Sequence, residues 1–171
     1  MEYFQFKIRE NVPGIGVIGY LSTTFGGEPL EMSVDFPPDF RAVSLCVSKK
    51  LKFGDGLGEP LVVSPKAVEI FRTITLPDNT RFLPVDVYFG KERQFLFTAY
   101  SILMNDDALN LLGEDNNEQL STVPFSERIA DLDLVPLHNR RSYLCTRNFK
   151  NKVEEAKLTN FEFTPITMKK Y

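Results

Sequence analysis

Two stretches of this sequence follow one plan. Leu61-Val62-Val63-Ser64 opens a helical pattern that runs to Leu76, and Phe82-Leu83-Pro84-Val85 follows it. Tyr143-Leu144-Cys145-Thr146 opens a second pattern that runs to Leu158, and Phe163-Thr164-Pro165-Ile166 follows that one. The hydroxyl residue stands twelve positions ahead of the Leu in both, and eighteen or seventeen ahead of the Phe. Residues 61–85 and 143–166 therefore each read as strand, capped helix, strand. A short helix of this kind has one apolar stripe and must bury it on a sheet, which limits the chain to helix-on-sheet packing. Two origins fit the likeness: duplication, or a recurring local solution to packing a helix on a sheet. The proline in each second strand directs that strand to a sheet edge or a bulge.

The rest of the chain supplies strands. Residues 3–9 alternate, with Phe4, Phe6 and Ile8 on one face and Gln5, Lys7 and Arg9 on the other. Residues 10–40 read as irregular, 42–47 as a strand, and the glycine run 54–58 as a turn or loop. Ser64 and Pro65 suit the cap and first position of a helix whose stripe is Ala67, Ile70, Phe71 and Ile74, stopped at Pro77-Asp78-Asn79. Residues 81–89 and 93–103 form the clearest hairpin, with Leu83, Val85, Val87 and Phe89 sharing a face and Phe95, Phe97 and Ala99 another. Asn105 or Asp106 caps a short helix that Gly113 ends, and Leu132 and Leu134 alternate with Asp131 and Asp133 as a half-buried strand. A helix through Phe149, Val153 and Ala156 follows Thr146, and 168–171 is a basic tail. The expected fold is α+β over a single domain, 1–171: a mainly antiparallel sheet carrying two short amphipathic helices. Phe4, Phe6, Ile8, Ile70, Phe71, Ile74, Val85, Val87, Phe89, Phe95 and Phe97 are expected in one core.

Composition narrows the function classes. The chain is 43% hydrophobic and 25% charged, too apolar for disorder, yet no run approaches the roughly 18 to 20 apolar residues of a membrane span. The N-terminus has no signal-peptide pattern, so a cytoplasmic location is expected. Cys46 and Cys145 each lie in an apolar run, which favours buried thiols over a disulfide. Residues 104–137 hold eight acids against Arg128, whereas 138–171 hold eight bases against three acids. Opposed solvated faces would explain this imbalance. The basic part offers Arg140, Arg141, Arg147, Lys150 and Lys152 around Tyr143 and Phe149, but the sequence pI of about 5.3 argues against direct nucleic-acid binding.

Catalytic groups are sparse. His138 is the single histidine, so a Ser-His-Asp or Cys-His mechanism would have to use it, and it sits in a turn context without a nucleophile elbow. No metal-ligand spacing occurs, and no cofactor is implied; Gly54, Gly56 and Gly58 fit neither a dinucleotide fingerprint nor a phosphate loop. Asp131-x-Asp133 would place two carboxylates on one strand face, which keeps a small carboxylate-based enzyme open. Residues 105–118 carry Asp106, Asp107, Glu114, Asp115 and Glu118 without a base, and they are the candidate partner-binding residues. A capped helix followed by a solvated loop is the alternative explanation of these acids.

Tyr3-Phe4-Gln5-Phe6, Val62-Val63-Ser64, and the run from Tyr143-Leu144-Cys145-Thr146 to Phe163-Thr164-Pro165-Ile166 together resemble the immunity protein family found beside bacterial polymorphic toxins, long described as a domain of unknown function. The resemblance covers about half of the chain. It departs from the family pattern at Thr146, where a Ser is commoner, and in the acidic insertion around 105–131. It implies a protein that binds and neutralises a cognate toxin, not an enzyme, and it transfers no catalytic residues. A structural or adaptor domain is the remaining alternative. The oligomeric state stays open.

Overall fold

In the computed structural model, the described residues are 2–9, 15–16, 23–25, 28–30, 42–47, 52–58, 61–78, 80–89, 92, 94–104, 122–124, 129–137 and 142–169. The fold is α+β and dominated by strands. One five-stranded sheet runs in the order β5 (Ala42–Val47), β9 (Arg81–Phe89), β10 (Gln94–Leu103), β8 (Val62–Val63), β7 (Gly56–Gly58). The other runs β11 (Thr122–Pro124), β14 (Phe161–Lys169), β1 (Tyr3–Ile8), β13 (Tyr143–Thr146), β12 (Leu134–Pro136). Four neighbouring strands of each sheet are antiparallel, and the fifth, β5 or β11, joins parallel at one end. Two small pairs are β2 (Ile15–Gly16) with β6 (Lys52–Phe53) and β3 (Thr23–Phe25) with β4 (Glu28–Leu30), so β2, β3 and β4 place short strands in the stretch 10–40 that reads as irregular.

Both helices start where the sequence places them. Ser64 caps α1 (Pro65–Phe71) by accepting from the Ala67 amide at 3.1 Å, and Thr146 caps α2 (Arg147–Glu155) by accepting from the Phe149 amide at 3.4 Å. They end sooner than expected. The Arg72 amide closes α1 on Val68 and Ile70, so Ile74 lies beyond the helix, and Val68 takes the buried place the spacing gave to Ile70. The chain then turns to meet the other sheet well before Pro77.

Among the described residues the core has three parts rather than one. Phe4, Phe6, Leu61, Val63, Ala67, Phe71, Ile102, Tyr143, Cys145, Phe149 and Phe161 form a central cluster to which both sheets and both helices contribute. Phe6 is fully buried there, edge-on to Phe149 at 5.2 Å. Tyr3, Ile129, Val135, Leu144 and Ile166 cover the opposite face of one sheet; Leu57, Val62, Leu83, Val85, Val87 and Ala99 cover that of the other. Val85 and Val87 thus belong to a different cluster from Phe4 and Phe71. Because both faces are covered, Gln5 is buried as well, against the simple alternation expected of β1.

Several expectations need correcting. The 54–58 run is not only a turn: Gly56–Gly58 is strand, its backbone pressed against Asn160 and Phe161 so closely that only glycine fits at position 56. A register shift between Phe95 and Phe97 breaks the shared face of the hairpin, leaving Phe95 54% exposed beside Tyr88. Asp131 lies in a turn, so Asp131 and Asp133 do not share a strand face. The start of the basic tail is β14 itself, which continues through Lys169. Pro84 and Pro165 lie in strands inside the sheets, yet each precedes the point where the end strand joins, β5 at Val85 and β11 at Thr167. Among the described residues no end strand pairs with either proline, so the missing amide breaks no described ladder.

Candidate functional site

The densest polar constellation among the described residues surrounds the two helix caps. Asp133 enters β12 one residue before the strand begins, and its carboxylate faces the start of α2. Thr146 donates its hydroxyl to Asp133 Oδ1 at 2.5 Å, and Asn148 donates to both carboxylate oxygens at 3.1 Å. The Thr75 amide, in the turn beyond α1, donates to Oδ2 at 3.0 Å. Asp133 returns its own amide to the Thr75 carbonyl at 2.8 Å. Lys152 reaches the same turn, donating to the Thr73 carbonyl at 2.8 Å. Burial disfavours the charged carboxylate, but the donors Thr146, Thr75 and Asn148 and the Lys152 charge outweigh it and hold Asp133 below its ordinary value.

Asp55 repeats this arrangement one residue before β7. Ser64 donates to its Oδ1 at 2.6 Å, and the Thr159 amide, in the turn beyond α2, donates to Oδ2 at 2.9 Å. The backbone of each Asp also accepts from the amide of its own cap residue, Ser64 at 2.8 Å and Thr146 at 2.9 Å. Each carboxylate therefore fastens the helix start on its own sheet and the helix exit on the other. Asn160 completes the Asp55 side. It holds a left-handed backbone, φ 72°, and donates its side-chain amide to the Gly56 carbonyl at 2.9 Å.

These groups have the chemistry of a joint. Asp133 has both oxygens engaged by three donor residues, which leaves it poorly placed as a general base. Cys145 is a free, buried thiol, as its apolar context implied; burial above all, with the Asp133 charge beside it, pushes its pKa well up despite Lys150. Tyr3 is pushed up by burial and by the charge of Asp131. No group of three or more His, Cys, Asp or Glu among the described residues could hold a metal ion, and no helix among them is long and apolar enough to cross a membrane.

The sequence-predicted partner residues Asp106, Asp107, Glu114, Asp115 and Glu118 lie outside the described residues, as do His138 and the helix expected near Asp106; the Cys46 side chain does too. The strands on either side of the acidic run are described. It occupies the connection from β10, the last strand of one sheet's run, to β11, the first of the next. Asp55 and Thr159 do not stand out in the sequence, because a lone Asp among glycines reads as turn. The signal for it was there: Asp55-Gly-Leu and Asp133-Leu-Val both precede a capped strand–helix unit. No protein-family model and no curated protein matches the chain.

Proposed function

We propose that this protein is an immunity-type inhibitor that binds a cognate bacterial toxin in the cytoplasm and neutralises it by occupying the toxin's surface. The observation that carries the reading is the placement of charge. Five acids and no base stand in 105–118, in the connection between the strand runs of the two sheets. An acidic segment of that kind steers a basic partner and imitates the phosphates such a partner handles. The resemblance to the immunity family points the same way. The rival, a carboxylate enzyme, leans on Asp131 and Asp133, and Asp133 uses its oxygens to tie the sheets together while Asp131 sits apart in a turn.

The test has two stages. The tagged protein is first used to retrieve its partner from the native cell, where a toxin encoded beside it is the expected catch. Association with that toxin is then measured by stopped flow for the wild type and for a Glu114→Lys, Asp115→Lys, Glu118→Lys variant. The variant keeps its melting temperature, associates more slowly, and loses much of the salt dependence of its on-rate. Equal on-rates at low ionic strength would remove the acidic run from the interface, and failure to protect a toxin-expressing cell would end the inhibitor reading.

A further inference from the structure

The likeness between the two strand–helix–strand stretches extends to the whole of both sheets. Both have the same strand order and the same senses: a parallel end strand, then the Phe-x-Pro strand, a central strand, the strand before the cap, and a short last strand. The registers agree residue by residue. Val63, Tyr100 and Pro84 lie side by side in one sheet as Cys145, Phe4 and Pro165 do in the other. One step along, Val62, Ser101 and Leu83 correspond to Leu144, Gln5 and Thr164. Matching positions also serve matching clusters: Val63, Ile102 and Leu61 with Cys145, Phe6 and Tyr143 at the centre, and Val62, Ala99 and Val85 with Leu144, Tyr3 and Ile166 outside.

Among the described residues the parallel breaks at the last strand, where the register shift between Gly56 and Gly58 has no counterpart in β12, and in chain order. In one sheet the central strand β10 follows β9 directly. In the other the central strand is β1, which precedes both sheets' strands in sequence.

We infer that the chain is a permuted tandem repeat, two copies of one five-strand, one-helix unit whose second copy is completed by β1. A common way of packing a helix on a sheet accounts for the caps and the apolar matches. It does not account for two shared oddities. Ser101 and Gln5 occupy the same register position on the two central strands, and each keeps a buried side-chain polar atom without a hydrogen-bond partner, Ser101 Oγ and Gln5 Nε2. Asp55 and Asp133 stand at the same place, and each is joined to a Thr three residues past the residue that caps the C-terminal end of the other copy's helix, Thr159 after Ala156 and Thr75 after Arg72. The exchange is reciprocal, as it would be between the two subunits of a dimer.

The experiment moves the strand. Residues 1–9 are transferred to follow Lys170 through a copy of residues 90–96, which connect β9 to β10 and reach its register shift, so that both copies read uninterrupted. The rearranged protein is expected to be monomeric, to melt cooperatively at nearly the wild-type temperature, and to show the wild-type cross-strand contacts of Phe4 with Cys145 and Pro165 by NMR. A folded product with β1 unpaired or in another register would overturn the permuted repeat. Failure to fold would count against it equally, since the borrowed turn should fit.

Discussion

The Thr75 amide donates to the Asp133 carboxylate at 3.0 Å, and Thr159 makes the same bond to Asp55 at 2.9 Å. Neither pair lies within one sheet's own strand–helix unit. Each helix is thus started by a hydroxyl that its own Asp positions, while the same Asp holds the exit of the other helix. This couples two local structures that are 58 and 104 residues from their partners.

Replacing Asp133 with Ala should therefore be felt in both places. Loss of a charged acceptor with several donors costs about 1–3 kcal/mol by mutational precedent. Amide exchange should accelerate at Thr75 as well as at Phe149, and Asp55→Ala should do the same at Thr159 and Ala67. Were the Asp133→Ala effect confined to α2, the carboxylate would be an ordinary cap support and not a joint.

The same carboxylate gives a pH dependence with a definite sign. Asp133 is held below its ordinary value of 3.8, since its donors and Lys152 outweigh burial. The stability it adds is then complete above that value and lost as pH falls through the lower folded value. Urea midpoints measured from neutral pH down to about pH 2 should drop more steeply for the wild type than for Asp133→Asn. Parallel acid limbs for the two proteins would show that Asp133 is not linked to folding.

Phe71 and Phe149 meet at 5.0 Å, one from each helix, and both are fully buried. Their positions relative to the caps differ, seven residues on for Phe71 and three on for Phe149, with Ala67 and Val153 in the reciprocal places. Large faces small across the two helices, which fills the centre without overlap. Phe71→Ala should destabilise by about 3–5 kcal/mol in chemical denaturation. A loss below about 1 kcal/mol would mean that the helices do not pack through this ring.

Much of this was legible in the sequence because its causes are local. A hydroxyl followed by proline or by a polar first turn makes a cap whatever the sheet does, and alternating residues mark β9, β10 and β1. What escaped was non-local. The spacing of Ile70 and Ile74 continued a helical stripe that the turn toward Asp133 cuts short at Phe71. The Leu76 and Leu158 match, equal in spacing, is two residues out of step with the structure, since α2 is two residues longer than α1 and the corresponding residues are Thr75 and Thr159. The acids expected in partner binding, Asp106 to Glu118, lie outside the described residues.

Ser101 offers a substitution expected to improve stability. It is 0% exposed, lies on the face formed by Ala99 and Leu103, and its hydroxyl lacks a partner. Such a group loses its hydration without recovering a hydrogen bond, a cost of about 1–3 kcal/mol. Ser101→Ala should thus be neutral to stabilising by about 1 kcal/mol, the lost Oγ contacts offsetting part of the gain. A clear fall in melting temperature would reveal a hydrogen bond at Ser101 that this geometry lacks.

Gly56 and Leu134 hold the same register position in the two sheets, Gly56 opposite Val63 and Leu134 opposite Cys145. Leu134 fills its place in the central cluster with its own side chain. At Gly56 the space is already taken: a Cβ there would lie 2.8 Å from the Asn160 carbonyl oxygen, 2.9 Å from the Phe161 ring and 3.1 Å from Ile8. The ring and Ile8 can shift a little, but the carbonyl belongs to a backbone held by the Arg9 amide at 3.0 Å. Gly56→Ala should therefore destabilise by about 1–3 kcal/mol through overpacking, and trimming Phe161 to Leu in the same chain should recover little of it. Leu134→Ala, which opens a cavity instead, should cost about 2–5 kcal/mol. If Gly56→Ala melts like the wild type, the turn at Asn160 does not press on β7, and the contact that sets glycine at this one position of the repeat is absent.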